Sequence, residues 1–151
     1  MSSLITAEVR NWIGRRAPPV RVEISRRDII KYAIATEQRL EKYRRGDEAP
    51  PMFLFGAYLP PVSLDELKAD GLRIDPLVPE LPLKRVMAGG VRQEFHRPIK
   101  PGDVLLIDRV IADIFEKSGA SGPLLFVVYA LTITTASGEL VMRETQTRIQ
   151  R

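Results

Sequence analysis

Pro51-Met-Phe-Leu-Phe-Gly-Ala-Tyr-Leu59 is apolar on every side, with Met52, Phe53, Leu54, Phe55, Ala57, Tyr58 and Leu59 leaving no polar face. Pro50 and Pro51 lead in, and Pro60 and Pro61 close the run. Proline is tolerated in a first helical turn and stops a helix at its end. The run also lacks β-branched residues, so the reading is a buried helix rather than a strand. At 1.5 Å per residue such a helix is about 14 Å long, too short to cross a bilayer. Protein must therefore cover it, and the C-terminal half offers the cover. Residues 104–115 alternate in polarity, and residues 124–134 begin apolar on both faces, as a central strand does. Residues 140–149 return after the hairpin turn Ala136-Ser-Gly. A strand over 91–97 ends at Pro98, and Ile99-Lys-Pro-Gly-Asp is a turn. Lys117-Ser-Gly-Ala-Ser-Gly-Pro is expected to be a loop. Long strands joined by short loops make an antiparallel meander.

Upstream, residues 3–13 carry Leu4, Ile5, Val9, Trp12 and Ile13 near helical spacing, with Gly14 at the cap position. Residues 20–24 alternate as a half-buried strand. Ser25-Arg-Arg-Asp28 reads as a capping box opening one helix over residues 26–43, with Ile29, Ile30, Ala33, Ile34, Glu37 and Leu40 along its stripe. Residues 61–84 form a long proline-rich crossing, with a short helical turn capped by Ser63 and anchors at Leu72, Ile74, Leu77, Val78 and Leu81.

The chain has 151 residues, 44% of them hydrophobic and 28% charged, which fits one α+β domain spanning 1–151. It has no cysteine, which excludes disulfides, thiolate metal sites and Cys nucleophiles. A metal site is not expected. The start Met-Ser-Ser-Leu-Ile-Thr-Ala-Glu has no basic region followed by an apolar core, so neither a signal peptide nor a membrane partner is expected, and the expected compartment is the cytoplasm. The net charge of +4 favours anionic partners in general, but no basic helix face or aromatic–basic strand pattern points to nucleic acid.

Arg92-Gln-Glu-Phe-His-Arg-Pro-Ile-Lys-Pro-Gly-Asp-Val-Leu, the run from Val110 through Ser118-Gly-Ala-Ser-Gly-Pro to Val128, and Gly138-Glu-Leu-Val resemble the MaoC-like acyl dehydratases and hydratases. The likeness is strongest to their N-terminal, FAS1-like dehydratase subgroup. Asn11-Trp-Ile-Gly-Arg, Arg27-Asp-Ile-Ile-Lys-Tyr-Ala and Ala49-Pro-Pro-Met-Phe fall in the matching order upstream. The resemblance implies a hot-dog fold, a five-stranded antiparallel sheet wrapped around the helix at 51–59 and paired as a double hot dog. It implies an acyl thioester substrate, on coenzyme A or acyl carrier protein, and reversible hydration of a 2,3 double bond. Coenzyme A would enter as part of the substrate, and no separate cofactor is expected. Active members carry Asp-x-Asn-Pro-x-His between the first helix and the Ala-Pro-Pro turn. Here that interval, Thr36-Glu-Gln-Arg-Leu-Glu-Lys-Tyr-Arg-Arg-Gly-Asp-Glu48, has no histidine and no Asn-Pro.

Hydration needs a base for water or the α-proton and an acid for the oxygen. The weak candidates left are Glu37, on an apolar helix face, and His96, the only histidine, in a strand. Pocket candidates are Pro51, Phe53 and Tyr58 for the wall and Gly89-Gly90 for close backbone approach. Arg97 and Lys117 are candidates for the phosphates of coenzyme A. Asp47 and Glu48 sit before Ala49-Pro-Pro, where a pocket mouth is expected. The leading expectation is a non-catalytic hydratase-like half that binds the acyl chain and supports a dyad-bearing partner in a heterodimer. The alternatives are a homodimeric acyl-CoA hydratase or thioesterase using Glu37 or His96, and an acyl-CoA-binding protein without turnover.

Overall fold

The computed structural model describes residues 3–57 and 59–151. Five strands form one antiparallel sheet: β1 (Val20–Glu23), β2 (Val86–Phe95), β3 (Val104–Gly119), β4 (Gly122–Thr135) and β5 (Leu140–Gln150), in the order β1-β3-β4-β5-β2. The last three strands are the expected meander, but the first hairpin is tighter than expected. Strand pairing continues through Lys117↔Leu124 to Gly119↔Gly122, so most of the expected loop is strand and only Ala120-Ser121 turns. The β3–β4 ladder carries a bulge between Ile111 and Asp113. Residues 14–17 extend the β1 edge, bonding to the backbone of Arg109 and Ile111.

Residues directly opposite in a ladder share a face. Arg109 faces Leu131, which faces Glu144; Ile111 faces Tyr129, which faces Gln146. The inner face therefore collects Leu105, Ile107, Arg109, Ile111 and Ile114 from β3. From β4 it takes Leu125, Val127, Tyr129, Leu131 and Ile133, all buried. Ile29, Phe53, Leu54, Leu77, Leu81 and Ile99 close over these residues in one core.

Among the described residues four short helices lie outside the sheet: α1 (Ala7–Arg10), α2 (Arg26–Ala35), α3 (Glu41–Arg44) and α4 (Phe53–Ala57). The expected helix over 3–13 shrinks to one turn, capped by the Thr6 hydroxyl. Ser25 caps α2 as expected, its hydroxyl oxygen accepting from the Asp28 amide at 3.0 Å. The expected single helix over 26–43 breaks at Glu37, whose φ is +52°. There the Gln38 amide reaches back to the Ala33 carbonyl (2.9 Å) and the Glu37 amide to Ile34 (3.2 Å). This is a Schellman closure with glutamate in the left-handed position that glycine normally fills. A stripe of apolar residues does not reveal such a stop, because the breaking residue is a good helix former.

The stretch that organises the fold is shorter than its composition suggests. Helix α4 has five residues, and it buries Phe53 and Leu54 while Met52, Phe55 and Leu59 stay exposed. Phe53 meets the Tyr32 ring edge-on at 5.6 Å, tying α4 to α2. The proline-rich crossing carries the single 3-10 turn Leu64–Glu66 and buries Leu77 and Leu81.

Candidate functional site

The inner face changes character from one side of the sheet to the other. On β3 and β4 it is largely apolar and covered. On β5 the same face carries Met142, Glu144, Gln146, Arg148 and Gln150, opposite Ile133, Leu131, Tyr129, Val127 and Leu125. On β2 it carries Phe95, Gln93, Val91, Ala88 and Val86. Val86, Val91 and Phe95 are exposed, so the β2 end of this face has no cover among the described residues, while Met142, Glu144 and Gln150 of β5 are buried.

The crossing is fastened where the two halves meet. Arg109 binds both oxygens of Asp75, with Nη1 donating to Oδ2 at 3.1 Å and Nη2 to Oδ1. The Leu77 amide donates to Asp75 Oδ1 at 3.0 Å, and the Tyr129 hydroxyl donates to the Leu77 carbonyl at 2.9 Å. Burial pushes the Asp75 carboxyl up. The Arg109 hydrogen bonds, the Leu77 amide and the charges of Arg109 and Arg148 outweigh it and hold the group below the ordinary range. The guanidinium carbons of Arg109 and Arg148 lie 5.4 and 5.6 Å from the centre of the Tyr129 ring, within cation–π range.

Further along β5 lies Glu144, 3% exposed. Gln93 of β2 donates to its Oε2 at 2.6 Å, and the Gln146 amide donates to its Oε1. No cation contacts this carboxylate among the described residues. A buried carboxylate answered only by amides keeps lone pairs for a further donor. The amide oxygen of Gln150, 4% exposed, has no donor among the described residues.

The residues singled out from the sequence lie in several places. Glu37 is exposed in the turn after α2, beside a surface groove lined also by Ala33, Ile34, Gln38, Glu41, Arg44 and Arg45. His96 follows β2, its Nε2 2.9 Å from Glu94 and 3.4 Å from Arg143. Both partners belong to the outer-face register, opposite in parity to Gln93 and Glu144. Arg97 is committed to both oxygens of Asp103 at 3.0 Å, with Glu139 at 3.3 Å. Lys117 sits 5.3 Å from each of the stacked rings of Phe115 and Phe126. Phe53 is core, and Pro51 is exposed. Tyr58 lies outside the described residues. Asp47 pairs with Arg26, and Glu48 with Lys42 at 2.8 Å. Gly89 stands in a bulge of β2, where a Cβ would meet Ile149 Cγ1 at 2.8 Å; at Gly90 it would meet nothing within 4 Å. Among the described residues no group of three His, Asp or Glu side chains could hold a metal ion.

The residues that do converge, Asp75, Arg109, Tyr129 and Arg148, and Glu144 farther along the same face, were missed from the sequence. A signal existed: Glu144, Gln146, Arg148 and Gln150 share parity with Met142. Alternation alone, however, assigns the polar parity to solvent.

A five-stranded antiparallel sheet closed over short helices is the hot-dog fold. Residues 11–144 match the family model described as "FAS1-like, dehydratase domain region", and the chain belongs to that family. Mesaconyl-C(4)-CoA hydratase of Chloroflexus aurantiacus is 31% identical over 129 residues, covering 85% of this chain and 46% of that protein. The chain thus spans about half the length of that relative. Among solved structures, the ChsH1-ChsH2 complex of Mycobacterium tuberculosis gives a TM-score of 0.68 at 19% identity, over 89% of this chain and 83% of that one. The C-terminally truncated HadBC (3R-hydroxyacyl-ACP dehydratase) complex of the same organism gives 0.62 at 22% identity, over 91% and 96%. At these identities the structures speak for the fold. Among the described residues no helix is long and apolar enough to cross a membrane.

Proposed function

We propose that this chain is the acyl-binding, non-catalytic half of a thioester hydratase, completed by a second hot-dog subunit that carries the Asp/His dyad. One observation carries the reading. The inner face ends in the ten-residue edge strand β2, whose Val86, Met87, Val91 and Phe95 are exposed. A long apolar edge with an unpaired backbone row calls for another strand. The Thr36–Glu48 interval holds no histidine, and His96 belongs with Glu94 and Arg143. Two of the fold's relatives are solved as two-component complexes, and the relative of known activity is about twice as long as this chain. The substrate in this reading is an acyl-CoA or acyl carrier protein thioester, with no cofactor beyond its carrier. The site of action is the cytoplasm.

The test compares crotonyl-CoA hydration by the purified chain alone and together with the product of the neighbouring reading frame. Turnover only in the mixture, with the two proteins eluting together, is the expected result. Turnover by the isolated chain overturns it. The burial of Glu144 on the inner face favours a second reading, a homodimeric hydratase or thioesterase with Glu144 as base, in place of Glu37 or His96. Activity of the chain alone that disappears in Glu144→Gln selects it.

A further inference from the structure

We infer that Arg148 is an oxyanion-binding residue of the inner face, reading a negatively charged group of the thioester ligand. The inference rests on the thioester reading above and adds to it a charge requirement. Arg148 lies on β5 opposite Val127 and Ala88, on the same face as Tyr129 and Glu144. Arg148 is half-buried, and its guanidinium lies over the Tyr129 ring, 5.6 Å from the centroid. That ring is itself fixed by its hydroxyl, which donates to the Leu77 carbonyl at 2.9 Å. Arg148 therefore has a defined place and orientation, yet its side chain has no hydrogen bond or ion pair with any described residue.

The nearby carboxylate does not answer it. Asp75 feels the charge of Arg148, but its oxygens are occupied by Arg109 and the Leu77 amide. Two guanidinium groups beside one carboxylate leave a net positive charge on a partly dehydrated surface. A half-buried arginine with its side-chain donors unfilled is costly, and an oxyanion answers it with charge-assisted, two-point hydrogen bonds. Space for such a group exists beside it. The β2 residue across the ladder is Ala88, an exposed residue whose side chain is a single methyl group. The buried Gln150 amide oxygen, two residues along the same face, also lacks a donor. This end of the strip is unfinished in both charge and hydrogen bonding.

The oxyanion has two possible sources in one ligand: a carboxylate at the far end of the acyl chain, or a phosphate of the coenzyme A carrier. Titration calorimetry on the full chain with succinyl-CoA, butyryl-CoA and butyryl-pantetheine separates them. For an acyl carboxylate, succinyl-CoA binds about tenfold tighter than butyryl-CoA, and Arg148→Gln erases that difference. For a carrier phosphate, butyryl-CoA binds about tenfold tighter than butyryl-pantetheine, and Arg148→Gln erases that one. Either pattern supports the inference, with Arg148→Lys retaining part of the preference. Should Arg148→Gln fail to fold, the native chain still decides. The charged ligand must weaken several-fold between low and high salt while butyryl-pantetheine does not. Arg148→Gln binding all three ligands as the native chain does, or a salt-independent preference, overturns the role of Arg148 and leaves the thioester reading standing. Binding of none of the three by the native chain overturns the thioester reading itself.

Discussion

Replacing Asp75 by asparagine removes the counter-ion that fastens the crossing to the inner face. The Asp75 and Arg109 side chains are only 17% and 14% exposed. Taking one partner from a buried pair costs about 3–5 kcal/mol, because the other charge stays behind uncompensated. The residual exposure of this pair places the cost at the lower end, about 3 kcal/mol. Asparagine can still accept from the Leu77 amide, so the turn at Asp75 survives and the loss falls on Arg109. For a domain of this size each kcal/mol moves the melting temperature by about 2–4 °C, so Asp75→Asn should melt about 6–12 °C lower. The crossing should also open before the sheet does. Trypsin should then cut at Lys68, Arg73 and Lys84 in the variant under conditions where the native chain resists. Asp75→Leu combined with Arg109→Met should recover most of the loss, since a matched apolar pair carries no stranded charge. A loss below about 1 kcal/mol, or an unchanged cleavage pattern, refutes the claim that this ion pair holds the cover down.

Glu37→Gly should raise stability by about 0.5 kcal/mol in urea unfolding, because glycine fits the left-handed φ of +52° and gives back only part of that gain as chain entropy. Glu37→Ala, with the same loss of charge, should show no gain. Gly89→Ala should cost about 1–3 kcal/mol, since the new methyl would sit 2.8 Å from Ile149 Cγ1 and force β2 off β5. Acid should weaken the fold through Asp75 and Asp103. Burial raises both carboxyls, but Arg109 in one case and Arg97 in the other more than offset it, so both are depressed in the folded state. Their stabilisation is complete above the unfolded carboxylate pKa of about 4 and is lost as pH falls from there through the folded values. The urea midpoint should thus hold between neutral pH and about pH 5 and drop below pH 4, less steeply in Asp103→Asn.

The inverted strip on β5 shows where pattern reading stops. Thr145 and Thr147 face out, while Glu144, Arg148 and Gln150 face the interior. Polarity ordinarily marks the solvent side, and only the pairing of Leu131 with Glu144 and Arg109 reverses it. The same holds for Asp75, 34 residues from Arg109 in the chain. The Glu37 stop is local, yet it hides in a residue that favours helix.

Strand alternation, proline punctuation and the absence of cysteine are local quantities, and they were enough to specify an antiparallel sheet over a short apolar helix. They also showed that the Thr36–Glu48 interval holds no histidine. Which polar side chains enter the interior is a non-local matter, set by ladder register across strands far apart in the chain. Tertiary structure alone placed Arg148 beside a carboxylate already claimed by another arginine, because a charge is matched in space by whatever the fold brings near it.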